Sequence, residues 1–447
     1  MHSQWENIMK KIIVLLGLVL LISPAAVHAQ TGQVKGELTY IKGKPVLRVW
    51  GTHYEMGYAH GYLLAPEIVA MLEDYMLGRL LDKRNYWRTR NLLNWYTRIP
   101  QAYRREIQGL YDGMVGAIGK EGLYSETIDD HFKPVDLLAF NMIPEIFRLH
   151  FNSQDFFATP SELCSSISGW GDGTADGNLI FARNLDFGEP GDLLEASTLI
   201  IAYQHRESRT REKSWVSIAW PGYLGCLTGM NENGAGAGLN LGNEQPALNQ
   251  LLFNLGGIYL GLPFYYTSTA FALRQSIENS PSLLFPDPIG AFRTNLGIIN
   301  IAGSFDIHLF SPAGKGGFRL HPPAAILECS NRGTVLRTAA DNRNDDPKLL
   351  SNHYLAVTNH HRKLAHPIDC RRYESMVQDL NATPVLDMER AFAIERKVAM
   401  DKRPYNTVYM VGFIPDTLEM WLATAQGAVP SYRAEPSYFS WNEIFGN

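Results

Sequence analysis

The sequence predicts an α+β layered fold. Three observations carry that reading: helical periodicity over residues 52 to 150, period-two patterning with frequent glycine turns from Cys164 onward, and a few helical stretches among those strands. Many short antiparallel strands accompanied by helices bury their apolar faces best as two stacked sheets covered by helices.

The elements follow in chain order. Lys10 and Lys11 precede an apolar run from Ile12 to Ile22, Pro24 breaks it, and Val27-His28-Ala29 offers a cleavage sequence. This pattern predicts a signal peptide over residues 1–29, with Met9 an alternative start, a mature chain from Gln30, and export to the periplasm or exterior. A membrane helix needs roughly 20 apolar residues, so stable insertion is not expected. Leu64, Ile68, Leu72 and Met76 then share one helical face, as do Tyr103, Ile107, Leu110, Met114 and Ile118, and Pro134 opens a further helix. Strands are expected at 165–170, 179–185, 198–203, 215–220, 225–230, 235–241, 325–329, 354–358, 407–413 and 419–423. Helices are expected at 267–278, 373–380 and 388–398.

Composition narrows the function. A hydrophobic content of 45% with 19% charged residues describes a well-packed globular protein, and a net charge of -5 gives no basis for binding nucleic acid. Four cysteines are too few for a disulfide scaffold, although an exported chain could pair Cys329 with Cys370.

Cys164 opens a strand, the stretch Gly171 to Gly177 turns the chain, and the returning strand carries Arg183 and Asp186. Amide hydrolysis needs an activated nucleophile and donors aimed at the developing oxyanion. No papain-like pattern surrounds Cys164. A cut before Cys164 supplies a base in another way, because an α-amine with a pKa of about 7.7–8.0 would then sit on the same residue as the thiol.

The block from Cys164 to Phe187, with its Arg183-Asn184-Leu185-Asp186 motif, resembles the nucleophile region of the N-terminal-nucleophile amidohydrolases and acyltransferases. That group includes isopenicillin N acyltransferase, choloylglycine hydrolase, penicillin V acylase and acid ceramidase. Gly51-Thr52-His53-Tyr54-Glu55-Met56-Gly57-Tyr58-Ala59-His60-Gly61 is similar to the opening of the proregion in the isopenicillin N acyltransferase-like branch, and the likeness extends with gaps over most of residues 48–425. The resemblance implies a four-layer αββα sandwich, a mainly helical proregion or α chain over 30–163, and a catalytic β chain over 164–447. The two chains would stay associated after self-cleavage between Leu163 and Cys164.

It also implies roles. Cys164 is the nucleophile, Asp186 orients the freed α-amine and Arg183 helps hold the thiolate. The Asn240 backbone N–H and the Asn359 side-chain amide would face the oxyanion. A site arginine is expected at Arg372, with Arg371 competing. The substrate is a small-molecule N-acyl amide with no cofactor, and a homo-oligomer is left open. Trp95, Tyr96, Phe156, Phe157, Tyr223, Phe264, Tyr265 and Tyr266 are candidates for an acyl pocket or for core.

Other motifs carry less. Asp172-x-Thr174-x-Asp176-Gly177 mimics a calcium loop but has Arg183 where the glutamate belongs, so it reads as a hairpin turn. His360, His361 and His366 lack zinc spacing, and no metal is expected. Two rival readings remain: a cysteine protease using His205 or His360 without self-cleavage, and a non-catalytic exported binding protein on the same scaffold.

Overall fold

The computed structural model describes residues 34–145, 163–188, 191–205, 212–242, 266–297, 304–314, 320–330, 333–402 and 405–446. The expected signal peptide lies outside them. The described chain opens on a hairpin that sequence patterning did not signal, β1 (Gly36–Ile41) and β2 (Lys44–Trp50). Helix α1 (His53–Leu63) follows, capped by Thr52, whose backbone N–H and hydroxyl both donate to Glu55 Oε2 at 2.8 Å.

Helix α1 packs on α2 (Gln101–Ile118) at unusually short range. Gly57 and Gly61 on α1 face Glu106 O and Leu110 O, while Gly109 and Gly113 on α2 face Tyr54 O and Tyr58 O. A Cβ at any of these four would fall inside the opposite backbone, so the glycines of both helices set the interhelical distance. Gly109→Ala is therefore expected to force the helices apart and lower stability by roughly 1–3 kcal/mol, read as a drop in thermal unfolding midpoint. Helix α3 (Pro134–Asn141) begins at its proline, whose missing N–H costs nothing at a first helical position.

After Cys164 the expected strands appear. They are β3 (Ser165–Gly171), β4 (Gly177–Gly188), β5 (Leu199–Gln204), β6 (Trp215–Ala219), β7 (Thr228–Asn231) and β8 (Gly236–Leu241). Helices α4 (Thr269–Asn279) and α5 (Pro288–Gly297) precede β9 (Phe305–Phe310), β10 (Ala324–Ser330), β11 (Gly333–Arg337) and β12 (Tyr354–Val357). The chain finishes with α6 (Arg371–Asn381), α7 (Met388–Lys397), β13 (Tyr405–Ile414), β14 (Glu419–Thr424) and β15 (Ser437–Ser440).

These strands form two main sheets. A nine-stranded sheet runs β1-β2-β5-β6-β7-β8-β9-β10-β11, and a second runs β12-β3-β4-β13-β14-β15 with the short strand Asp401–Lys402 beside β13. Only the β2–β5 pairing in them is parallel, with Val46 opposite Ile200. That pairing puts two strands from before Cys164 into the larger sheet.

Alternation on β4 shows how the layers stack. Ile180 and Ala182 join Ile167, Tyr354, Ala356, Met410 and Ala423 in a core with Tyr373, Met376, Val377 and Leu380 of α6 and Met388, Ala391, Phe392 and Ile394 of α7. On the opposite face, Phe181 packs on Phe310 at 4.4 Å and on His308 at 5.2 Å between ring centroids. Ser166 and Ser168 of β3 likewise sit 3.0 and 2.9 Å from the two ring nitrogens of His308. One face of the smaller sheet therefore meets helices and the other meets the larger sheet.

One expectation is corrected. Cys329 and Cys370 do not pair: all four cysteines are free and buried, with Cys329 Sγ 3.4 Å from Phe305 O and Cys370 Sγ 3.7 Å from Thr358 Oγ1. Strand β9 was not anticipated, although Phe305 to Leu309 alternates apolar and polar residues; its polar members Asp306 and His308 are buried instead of facing solvent. The calcium-like stretch is a turn linking β3 and β4, flanked by Gly171 and Gly177 at φ of 56° and 79°.

Candidate active site

Cys164 immediately precedes β3, and the register of that strand sets Ser165 opposite Asn184 on β4. This brings the Cys164 thiol to the end of β4, with Sγ 3.5 Å from the Asp186 carbonyl oxygen. The thiol is buried, and burial pushes its pKa up, with the Arg183 guanidinium opposing that rise.

Arg183 and Asp186 lie three residues apart on a strand, so they point to opposite faces. Arg183 enters the space between the sheets, where Nη1 donates to Leu227 O at 2.6 Å and to Thr228 Oγ1, and Nη2 donates to Leu239 O. Asp186 points toward the helical side. Its Oδ2 pairs with Arg372 Nη2 at 2.8 Å, and its Oδ1 accepts from Thr407 Oγ1 at 2.5 Å. Burial raises the Asp186 pKa to about 6, against the pull of Arg372 and Thr407.

The peptide before Cys164 is held from both ends. The Leu163 N–H donates to Asn359 Oδ1 at 3.0 Å, and the Leu163 carbonyl oxygen accepts from Arg372 Nη1. Asn359 sits just beyond β12 and spends its own N–H on Leu241 O at 2.7 Å, while Arg372 also donates from Nε to Val398 O at 2.8 Å. Of the two adjacent arginines, Arg371 is exposed and Arg372 turns inward. Asn240 lies close by on β8, but its side-chain amide donates to Ser166 Oγ at 3.3 Å. Asp186, Asn359 and Arg372 thus contact Cys164 or the residue before it, Arg183 acts on the charge of the thiol, and Asn240 meets β3 through Ser166.

Sequence patterning missed Thr407 and Glu395. Ser165 Oγ donates to Glu395 Oε2 at 2.6 Å, and Asn184 Nδ2 donates to Glu395 O at 2.7 Å. Oε1 of Glu395 is buried without a hydrogen-bond partner among the described residues, and burial raises this carboxyl to about 8. An acid on the apolar stripe of α7 was the available signal. Because the folded pKa exceeds the ordinary value, between about 4.5 and 8 the native state keeps a proton that the unfolded chain has released. Stability contributed by the neutral acid is therefore lost through that window. Glu395→Gln is expected to gain thermal midpoint relative to wild type as pH is raised from about 5 to about 8, measured side by side.

An aromatic group extends beyond Asp186. Phe187 packs 6.5 Å from Tyr75 and 5.9 Å from Trp220, and Trp220 packs 5.8 Å from Tyr223. Tyr75 and Tyr223 bury hydroxyls that have no hydrogen-bond partner among the described residues. Of the other expected pocket residues, Phe156, Phe157, Phe264 and Tyr265 lie outside the described residues, as do the side chains of Trp95, Tyr96 and Tyr266.

The histidines of the rival protease reading sit elsewhere. His205 Nδ1 lies 3.6 Å from Glu212 Oε2, and its Nε2 lies 3.4 Å from Glu278 Oε1. His360 is buried, and among the described residues neither of its ring nitrogens is hydrogen-bonded, so the Cys164 thiol makes no pair with it. His361 pairs with Asp306 at 2.7 Å and Ser304 at 2.8 Å, and His366 is exposed.

No family model matches the sequence. Among curated proteins, the chain is similar to protein dcd1B of Dictyostelium discoideum, 26% identical over 249 residues covering 53% of this chain and 43% of that one. It is similar to an uncharacterized protein of Archaeoglobus fulgidus, 25% identical over 226 residues covering 44% and 33% of the two chains. The match spans less than half the length of these relatives. Among solved structures, it is similar to a Caenorhabditis elegans ortholog of N-acylethanolamine-hydrolyzing acid amidase, at TM-score 0.41 and 15% identity over 62% of this chain and 100% of that one. Penicillin V acylase from Agrobacterium tumefaciens gives TM-score 0.39 and 13% identity over 63% and 87%. A variant conjugated bile acid hydrolase from Clostridium perfringens gives 0.41 and 13% over 64% and 95%. At these TM-scores the likenesses decide nothing about activity.

Proposed function

We propose that this chain is a self-cleaving cysteine amidohydrolase or acyltransferase, built as a four-layer αββα sandwich, whose first substrate is its own Leu163–Cys164 peptide. One observation carries the reading. The carbonyl that the Cys164 thiol would attack accepts a hydrogen bond from the Arg372 guanidinium, and Asn359 fixes the N–H on the other side of Leu163. A donor already aimed at that oxygen stabilises the oxyanion without reorganisation.

In this reading Cys164 Sγ bonds to the Leu163 carbonyl carbon while its proton passes to the departing backbone nitrogen. The C–N bond breaks and leaves a thioester and a free α-amine. Water then attacks the thioester, releasing the Leu163 carboxylate and restoring the thiol. The α chain Gln30 to Leu163 and the β chain Cys164 to Asn447 stay together. The β2–β5 pairing and the Glu106–Arg274 ion pair at 2.7 Å, which both join residues before the cut to residues after it, support that association.

Asp186 stands at the end of β4 beside Cys164, where its carboxylate can accept from the new amine. In turnover the thiol attacks a substrate amide, the α-amine protonates the leaving amine, and water or an acceptor amine resolves the acyl-enzyme. The substrate class is a small N-acyl amide, and the aromatic group beyond Asp186 supports an apolar acyl side. The charged and apolar runs of residues 10–22 support export to the periplasm or exterior.

Intact mass and N-terminal sequencing of purified protein test the proposal. Two chains, the larger beginning at Cys164, are expected. An unbroken chain that hydrolyses N-acyl amides would overturn it, and an unbroken, inactive chain would favour the binding-protein reading.

A further inference from the structure

We propose that His53, His205 and Glu212 form a zinc site. His53 lies at the start of α1, His205 just after β5, and Glu212 in the connection to β6. None of the three belongs to the group around Cys164. His53 Nε2 lies 3.3 Å and His205 Nδ1 lies 3.6 Å from the same oxygen, Glu212 Oε2, and the three ligand atoms all fall within 4.8 Å of one another. Zinc holds nitrogen and oxygen ligands at roughly 2.0–2.2 Å, which places tetrahedral neighbours about 3.3–3.6 Å apart. The two edges through Glu212 already have that length.

The surroundings match a built site. His53 Nδ1 lies 2.6 Å from Glu106 Oε2, and His205 Nε2 lies 3.4 Å from Glu278 Oε1. Each ring therefore turns one nitrogen into the cluster and the other toward a buried carboxylate, the arrangement that orients histidine ligands on a metal. Arg274 clamps both carboxylates, with Nη2 2.7 Å from Glu106 and Nε 2.8 Å from Glu278. Among the described side chains the cluster gathers three carboxylates, Glu106, Glu278 and Glu212, around one guanidinium, Arg274, an acidic setting that favours a cation. The side chains of His53 and Glu212 are 11% and 15% exposed, so a fourth, water-held position opens to solvent.

The second cluster of this kind, Asp306, Glu328 and His361, offers less. Glu328 already accepts from Arg337 and from the backbone N–H groups of Arg362, Lys363 and Leu364. In the first cluster, His53 precedes Cys164 while His205 and Glu212 follow it. The ion would then tie together the segments that self-cleavage separates. That tie rests on the proposed cut, whereas zinc binding does not.

The full-length protein and its Cys164→Ala variant, stripped with a chelator and dialysed, are titrated with zinc alone by calorimetry. Metal content is read after gel filtration. Both proteins are expected to take up about one zinc per chain, with a raised thermal midpoint. Glu212→Gln and His205→Gln are expected to weaken binding at least tenfold and to lose that rise, with circular dichroism reporting the fold. Should His205→Gln not fold, Glu212→Gln at the solvent edge carries the comparison. Absence of retained zinc in the parent proteins, or equal retention by Glu212→Gln, overturns the site. Uptake by the uncut Cys164→Ala chain separates this result from the fate of the amidase reading.

Discussion

Cys164→Ala yields one uncut chain and lowers amide hydrolysis by about 10⁴-fold or more, the scale of removing a catalytic nucleophile. The expectation follows from what the side chain does in both steps. Without sulfur, nothing attacks the Leu163 carbonyl, and the α-amine that would act as base is never released. The substitution removes one buried sulfur beside the Asp186 carbonyl and leaves the ion pair between Arg372 and Asp186 intact. The variant should therefore fold, with an unfolding midpoint within a few degrees of the parent protein. Cys164→Ser gives a second reading of the same chemistry: an oxygen nucleophile is weaker, so slow or absent cutting is expected, with cut molecules beginning at residue 164. A Cys164→Ala protein that is still cut at that bond would mean that a separate protease does the cutting. A Cys164→Ala protein that still turns over N-acyl amides would remove the thiol from the mechanism altogether. Time courses of intact mass and of amide hydrolysis distinguish these results.

Much of the hairpin that carries Cys164 was legible in the sequence, because period-two patterning and the glycine turn at 171–177 are local signals. Arg183 and Asp186 were legible as a motif, but their placement on opposite faces of β4 shows only when the sheets are stacked. The choice between Arg371 and Arg372 was not legible. Adjacent helical residues differ by about 100° in direction, and the docking of α6 on the smaller sheet decides which one turns inward. Glu395 was hidden for a related reason, since an acid on an amphipathic helix ordinarily faces water, and here it faces Ser165. Strand β9 carries a local signal, apolar and polar residues alternating from Phe305 to Leu309, but nothing local tells that Asp306 and His308 are buried. His53, His205 and Glu212 are brought together only by the fold, so no local spacing could announce them.

Arg372→Ala is expected to slow self-cleavage by about 10²–10³-fold, the cost of losing one oxyanion donor. Its guanidinium serves the Leu163 carbonyl through Nη1 and Asp186 through Nη2. The two losses have different signatures. Losing the carbonyl donor slows bond breaking, whereas losing the partner of Asp186 strands a fully buried carboxylate. Breaking a buried pair in that way costs roughly 3–5 kcal/mol of stability. The Asp186 pKa, already about 6, would rise further without Arg372, so the penalty is small at acidic pH and grows as pH climbs through that value. The double variant Arg372→Ala with Asp186→Asn removes the stranded charge, and its unfolding midpoint is expected to recover at neutral pH. Cutting is not expected to recover with it, because the carbonyl still lacks its donor. Arg371→Ala, on the exposed side of the same helix, is expected to change neither rate nor midpoint. Restored cutting in the double variant would show that Arg372 acts only by supporting Asp186, and the oxyanion would then need another donor.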